Sequence, residues 1–123
     1  MTKEEKELLL KDLCGRLPYQ VKVKLHDEIC TVLGYADDFI ILTSDTPIGQ
    51  QTNIVNVKPY LRPMSSMTKK EKEWYHLYGI NCTTCTANCA ELVIDWLNKK
   101  MFDYRGLIEK GLALEAPEDM YKV

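Results

Sequence analysis

Three of the chain's five cysteines fall within eight positions, in Cys82-Thr83-Thr84-Cys85-Thr86-Ala87-Asn88-Cys89. Thiols so closely spaced can hold a zinc ion or a cluster, or act as a nucleophile or redox pair. A structural zinc site takes four ligands, commonly two Cys-x-x-Cys knuckles or a Cys pair with a His pair. Here one knuckle, Cys82 and Cys85, is followed by Cys89, and His76 could add an imidazole; the second knuckle is missing. The Cys-x2-Cys-x3-Cys run also lacks the ligand spacing of ferredoxins. A redox reading has one physical merit. With Asn88 as N-cap and Glu91 completing a capping box, Cys89 falls in the first turn of a helix, where terminal amides favour a thiolate. Yet Cys82 and Cys85 precede that turn instead of opening the helix as in thioredoxin, and the βαβ context is absent. The preferred reading is therefore structural or incidental thiols and no metal; Cys82, Cys85, Cys89 and His76 are the set that a zinc- or cysteine-dependent enzyme would use.

Little else is suited to catalysis. His26 and His76 are the two histidines, and His26 reads as a solvated residue on the polar side of a strand. Asp37-Asp38 and Asp45 suit turn hydrogen bonding better than acid–base work. The chain has no Gly-rich phosphate loop, nucleophile elbow or zinc-protease helix motif. No cofactor is expected. Lys69-Lys70-Glu71-Lys72-Glu73 reads as the solvated face of a helix. The aromatics Trp74, Tyr75, Tyr78, Trp96, Phe102 and Tyr104 gather in the C-terminal half and suit helix packing. Tyr60, Arg62, Trp74 and Tyr78 are the candidate partner contacts, since Trp, Tyr and Arg are over-represented at binding hot spots.

The elements that must position these residues read in order. Thr2-Lys3-Glu4-Glu5 is a capping box for a helix over residues 3–14, closed by Gly15. In "QVKVKLHDE" the period changes to two, with Val21, Val23 and Leu25 on one face and Lys22, Lys24 and His26 on the other. A reversal at Asp27-Glu28 leads to strands over residues 29–33, 39–43 and 54–58. Four strands with short connections read as an antiparallel meander. The expected fold is α+β: a small curled antiparallel sheet of four to five strands, an SH3-like half-barrel, with an N-terminal helix and C-terminal helices.

Pro59 and Pro63 then mark residues 59–67 as a stiff strap that is neither central strand nor helix, with Tyr60, Leu61 and Met64 pinning it across the barrel's open end. Thr68-Lys69-Lys70-Glu71 is a second capping box, opening a helix that stops by Gly79. Further helices are expected over residues 89–100 and 104–110, the latter capped by Asp103 and closed by Gly111, and "GLALEA" returns as an extra strand. The whole reads as a single domain, residues 1–123, divided into an N-terminal helix (1–19), a meander (20–58), the strap (59–67) and a helical part (68–123).

Sixteen basic residues against eighteen acidic ones leave a formal charge of −2, which is no footprint for nucleic acid. No apolar run is long enough to span a bilayer. "MTKEEKELLLKDL" carries charges where a secretory peptide has its apolar core, so reduced thiols in a cytoplasm are expected.

Three stretches, "LLLKDLCGRLPY", "VKPYLRPMSSMTKKEKEWY" and "DWLNKKMFDYRGLIEKGLALEAPEDMY", together resemble an uncharacterised family of small proteins from gut-bacterial genomes and prophage-like regions. The resemblance covers most of the chain and is weakest over the strands and the cysteine segment. It implies a bacterial or phage-related setting and carries over no catalytic residue. The expected function is a non-enzymatic binding or accessory module that recognises a protein partner or itself. A single-stranded nucleic-acid-binding accessory protein is the second reading, resting on Lys22 and Lys24. A small cysteine- or zinc-dependent enzyme is the third.

Overall fold

Helix α1 (Lys3–Arg16) opens on the expected capping box: the Thr2 hydroxyl accepts from the Glu5 amide at 3.1 Å, and the Glu5 carboxylate accepts from the Thr2 amide at 3.2 Å. The computed structural model describes residues 1–36, 39–42, 50–80 and 87–121. The helix runs past its expected end, because Gly15 is an interior residue and not a left-handed cap. Its role is close approach: a Cβ there would stand 3.2 Å from the side-chain amide nitrogen of Asn98 on α3 (Ala87–Lys99). Pro18 lies in the short 3-10 turn that follows, Leu17–Tyr19, and Gln20 takes the left-handed conformation.

The fold is α+β. Six strands, β1 (Lys22–Leu25), β2 (Glu28–Ala36), β3 (Phe39–Leu42), β4 (Gln50–Asn53), β5 (Val57–Leu61) and β6 (Leu114–Glu115), form one sheet in the order β4-β3-β2-β1-β5-β6. The sheet is mixed, because β6 pairs parallel to β5, and it is not closed into a barrel. It is nevertheless strongly curled. A flat sheet would hold β4 and β5 about 19 Å apart, four spacings of roughly 4.8 Å. The four residue steps from Asn53 to Val57 reach about 14 Å at most, so the two strand ends must bend towards each other.

Several boundaries differ from expectation. The first reversal is His26-Asp27, one residue earlier, since Leu25 pairs with Glu28 and leaves a two-residue turn with His26 at φ 55. Histidine is among the residues that tolerate this conformation best. The expected strand over 54–58 is two elements. Ile54–Asn56 is a 3-10 turn capped by the Asn53 side chain, which accepts from the Val55 amide at 3.1 Å, and β5 follows it. The true fourth strand, Gln-Gln-Thr-Asn, has no apolar alternation to reveal it.

The strap is also shorter than expected. Residues 57–61 form an interior strand despite Pro59, which pairs with Val23. Antiparallel residues alternate between hydrogen-bonded and non-hydrogen-bonded sites. The next pair in this register would be Lys22 with Tyr60, and there the Tyr121 hydroxyl stands between the strands, accepting from the Lys22 amide (2.9 Å) and donating to the Tyr60 carbonyl (2.8 Å). The Lys22 and Tyr60 groups thus face each other, which puts Pro59 at a site where no amide is needed. Beyond them, Arg62 donates its amide to Met101 (2.7 Å) and accepts from the Asp103 amide (2.8 Å), so residues 101–103 take over beside the chain where β1 ends.

One face of the sheet makes the core. Val21, Val23, Leu25, Val32, Ile40, Leu42, Val57 and Leu61 are buried beneath Leu9 and Leu13 of α1 and beneath Leu107, Leu112 and Ala113. A bulge at Leu33 shifts the phase of β2, and Leu33 itself is exposed. Lys22, Lys24 and His26 fall on the other side, as their spacing indicates.

Within the core lies a charged cluster. Arg16 and Asp12 are fully buried and joined by two bonds of 2.9 and 3.0 Å; Arg16 also donates to the Phe102 carbonyl at 2.6 Å, and Arg105 reaches Asp12 at 2.7 Å. The segment that this cluster anchors is not the expected helix over 104–110. It is a run of turns, in which the Asp103 carboxylate accepts from the amides of Leu107 and Ile108 and Gly111 takes the expected positive φ. The chain enters it from α3 through a Schellman motif, with Phe102 N–H bonded to Leu97 O (2.9 Å) and Met101 N–H to Asn98 O (3.1 Å). Met101 holds the left-handed position, φ 62, that glycine usually fills.

Candidate partner-binding surface

The α2 helix (Lys69–Tyr75) owes its start to a doubly used carboxylate. The Thr68 hydroxyl accepts from the Glu71 amide (3.3 Å) and Glu71 accepts from the Thr68 amide (2.8 Å), completing the expected capping box. The same carboxylate takes a bidentate pair from Arg62 at 2.8 and 3.0 Å. Burial pushes the Glu71 carboxyl up, but the Arg62 guanidinium and the Thr68 amide outweigh it and hold the group below its ordinary value. Arg62 also lies over the Phe102 ring, 4.2 Å from its centroid. Its charge and its flat face are therefore both used within the fold.

From Phe102 a ladder of rings runs outward. Trp96 of α3 lies 5.6 Å from Phe102, Trp74 stacks on Trp96 at 4.4 Å with planes 22° apart, and Tyr78 follows Trp74 at 5.0 Å. Tyr75 flanks Trp96 at 6.4 Å. Separations of this order suit offset or tilted rings, which gain beyond their buried area. The inner end is buried with Leu97 and Met67, whereas Trp74, Tyr75 and Trp96 are half-buried and Tyr78 is 41% exposed. Between α2 and α3 a cleft of about 330 Å³ is lined by Thr68, Lys70, Glu71, Trp74, Trp96 and Lys100. α2 passes directly into a π-helical turn, His76–Ile80, so the helical segment reaches to Gly79 and one residue beyond. Leu77 on that turn, and Leu92 and Ile94 on α3, are also exposed.

Three of the four expected contact residues, Arg62, Trp74 and Tyr78, thus meet in one assembly, with Arg62 as its internal clamp. Tyr60 stands apart, half-buried on the outer side of the sheet beside Leu114 of β6. Trp96, at the centre of the ladder, is the residue that sequence reasoning assigned to packing alone. Its signal was its place on the stripe with Val93 and Leu97, which also marks an ordinary core residue.

The cysteine segment contributes less. Cys82 and Cys85 lie outside the described residues. Helix α3 begins at Ala87, so Asn88 is not its cap; Cys89 still falls in the first turn. His76 is exposed at the start of the π-helical turn. Among the described residues, no three His, Cys, Asp or Glu side chains come together to hold a metal ion. Cys30 is buried and Cys14 half-buried, and neither is in a disulfide. Among the described residues no helix is long and apolar enough to cross a membrane.

Compared with protein-family models, with curated proteins and with solved structures, the chain matches none.

Proposed function

We propose that this chain is a non-enzymatic binding module whose α2–α3 aromatic surface docks a protein partner, in the bacterial or phage-associated setting that its family resemblance implies. The observation that carries the reading is the Trp74–Trp96 stack. It is anchored at its inner end by Phe102 and Arg62, yet open at Trp74 and Tyr78, on elements that also expose Leu77, Leu92 and Ile94. Rigid aromatic anchors with little rotamer freedom left to lose are what hot spots use.

The test is site-directed photo-crosslinking in the native host, with a benzophenone amino acid in place of Tyr78 and, separately, of exposed Lys11 on α1. A discrete protein adduct formed from position 78 and not from position 11 supports the reading. An adduct of twice the chain's own mass would make the partner a second copy. Equal labelling from both positions, or none from position 78, rejects it.

A further inference from the structure

The formal charge of −2 hides an uneven distribution. The outward positions of β1 and β5 are Lys22, Lys24, Lys58 and Tyr60, bordered by Ile29 and Thr31 of β2 and by Leu114 of β6. No carboxylate is among them. Asp27 and Glu28 stand at the hairpin turn beyond. Lys24 and Lys58 are direct cross-strand partners, both exposed, an arrangement that like charges disfavour. Among the described residues the ion pairs join Asp12 to Arg16 and Arg105, and Arg62 to Glu71, so they lend this face no counter-charge. The Lys22 ammonium lies 3.5 Å from the Thr31 hydroxyl, held along the sheet. Below the lysine pair is a concavity of about 260 Å³ lined by Lys24, His26, Val55, Asn56, Lys58 and Leu114. Helix α1 packs on the opposite face. A local conflict kept between two exposed side chains is where function is to be sought.

We infer that this face binds single-stranded nucleic acid: Lys22, Lys24 and Lys58 neutralise its phosphodiesters, and Tyr60 offers its ring to an unstacked base. The inference goes beyond the protein-docking surface, which lies on different elements. Charge complementarity selects a polyanion. Lys22 and Lys24, outward neighbours on one strand, stand ~6.8 Å apart, a spacing that suits adjacent phosphates of an extended single strand, and Lys58 reinforces Lys24 from the neighbouring strand. Tyr60 selects bases over acidic side chains, because unpaired bases present free faces for stacking and duplexes do not.

The experiment is fluorescence anisotropy with a short labelled oligothymidylate across a range of salt. Three phosphate contacts predict a slope of log K against log salt of about −2. Lys58→Gln should make that slope shallower by about 0.7, and Lys11→Gln on α1 should leave it unchanged. Lys58→Glu should abolish binding while raising the melting temperature, because it turns a repelling cross-strand pair into an attracting one; a variant that merely misfolded would lower it. Absence of binding at low salt overturns the inference. So does equal binding of the matching duplex or of polyglutamate.

Discussion

The Tyr121 hydroxyl is 2.8 Å from the carbonyl oxygen of Tyr60, and 2.9 Å from the amide nitrogen of Lys22. A side chain near the C-terminal end of the sequence thereby completes the ladder between β1 and β5 where direct pairing stops. Tyr121→Phe keeps the ring and removes both bonds. It should cost about 1 kcal/mol, the low end of the penalty for stranding backbone groups, since these are partly buried, read as a lower urea midpoint.

The same group predicts an alkaline limb. Burial raises the Tyr121 phenol to about 12, against an ordinary 10. Below pH 10 the hydroxyl is protonated in folded and unfolded chains alike, and its contribution is complete. Between 10 and 12 the unfolded chain loses the proton first, so stability falls as pH rises, by about 2–3 kcal/mol in all. Unfolding curves across that window should show the decline in the wild-type chain and a flatter profile in Tyr121→Phe. Parallel profiles would remove Tyr121 as its cause.

The Arg62–Glu71 pair predicts the opposite limb. Because the folded chain holds Glu71 below its ordinary value, the stabilisation is complete above the unfolded carboxyl range and fades as pH falls through the folded value. Glu71→Gln should cost about 2–4 kcal/mol at neutral pH, since it strands a largely buried guanidinium. In strong acid the wild-type carboxyl is itself protonated. The gap in melting temperature between the two proteins should therefore narrow.

In the core, Asp12 serves two cations, Arg16 and Arg105. Asp12→Ala leaves both without their counter-ion and should cost about 3–5 kcal/mol, as breaking buried pairs does. Arg16→Met should cost less, because it keeps comparable volume and leaves the Asp12–Arg105 pair standing. A larger loss for Arg16→Met would mean that its bond to the Phe102 carbonyl, not the ion pair, dominates the cluster.

What was legible in the sequence follows the range of the interaction concerned. The capping boxes at Thr2 and Thr68 and the two faces of β1 are local patterns, three residues or two apart, and stand where the sequence places them. The third box, Asn88 with Glu91, does not, because α3 already begins at Ala87, one residue before it. The neutral polar β4 strand has no such pattern. Asp12 and Arg16 are spaced as a solvated i,i+4 pair would be, and only packing of the segment 101–105 over them makes them buried. Pro59 argued against an interior strand, because the direction in which its missing amide would point depends on register, which one strand alone does not show. The aromatic ladder was half visible. Trp74 and Tyr78 sit four apart in sequence, whereas Trp96 reaches them only through the docking of α3.

That docking depends on Gly15. Alanine in a helix interior is favoured over glycine by about 1 kcal/mol, so Gly15→Ala would ordinarily stabilise α1. Here the new Cβ would stand 3.2 Å from Asn98 Nδ2. Asn98 has little room to withdraw, being buried, with its side-chain Oδ1 accepting from the Tyr104 hydroxyl at 2.9 Å. The crowding should outweigh the propensity gain, giving a net loss of about 0.5–1 kcal/mol, the lower range of overpacking effects after that gain. In an Asn98→Ala background the obstacle is gone, and the same change should stabilise by about 0.5–1 kcal/mol. The double-mutant cycle should return a coupling of about 1–2 kcal/mol, within the range for residues in contact. Additive effects would show that α3 does not approach Gly15 as closely as 3.2 Å in solution, and the inner anchoring of Trp96 would need another source.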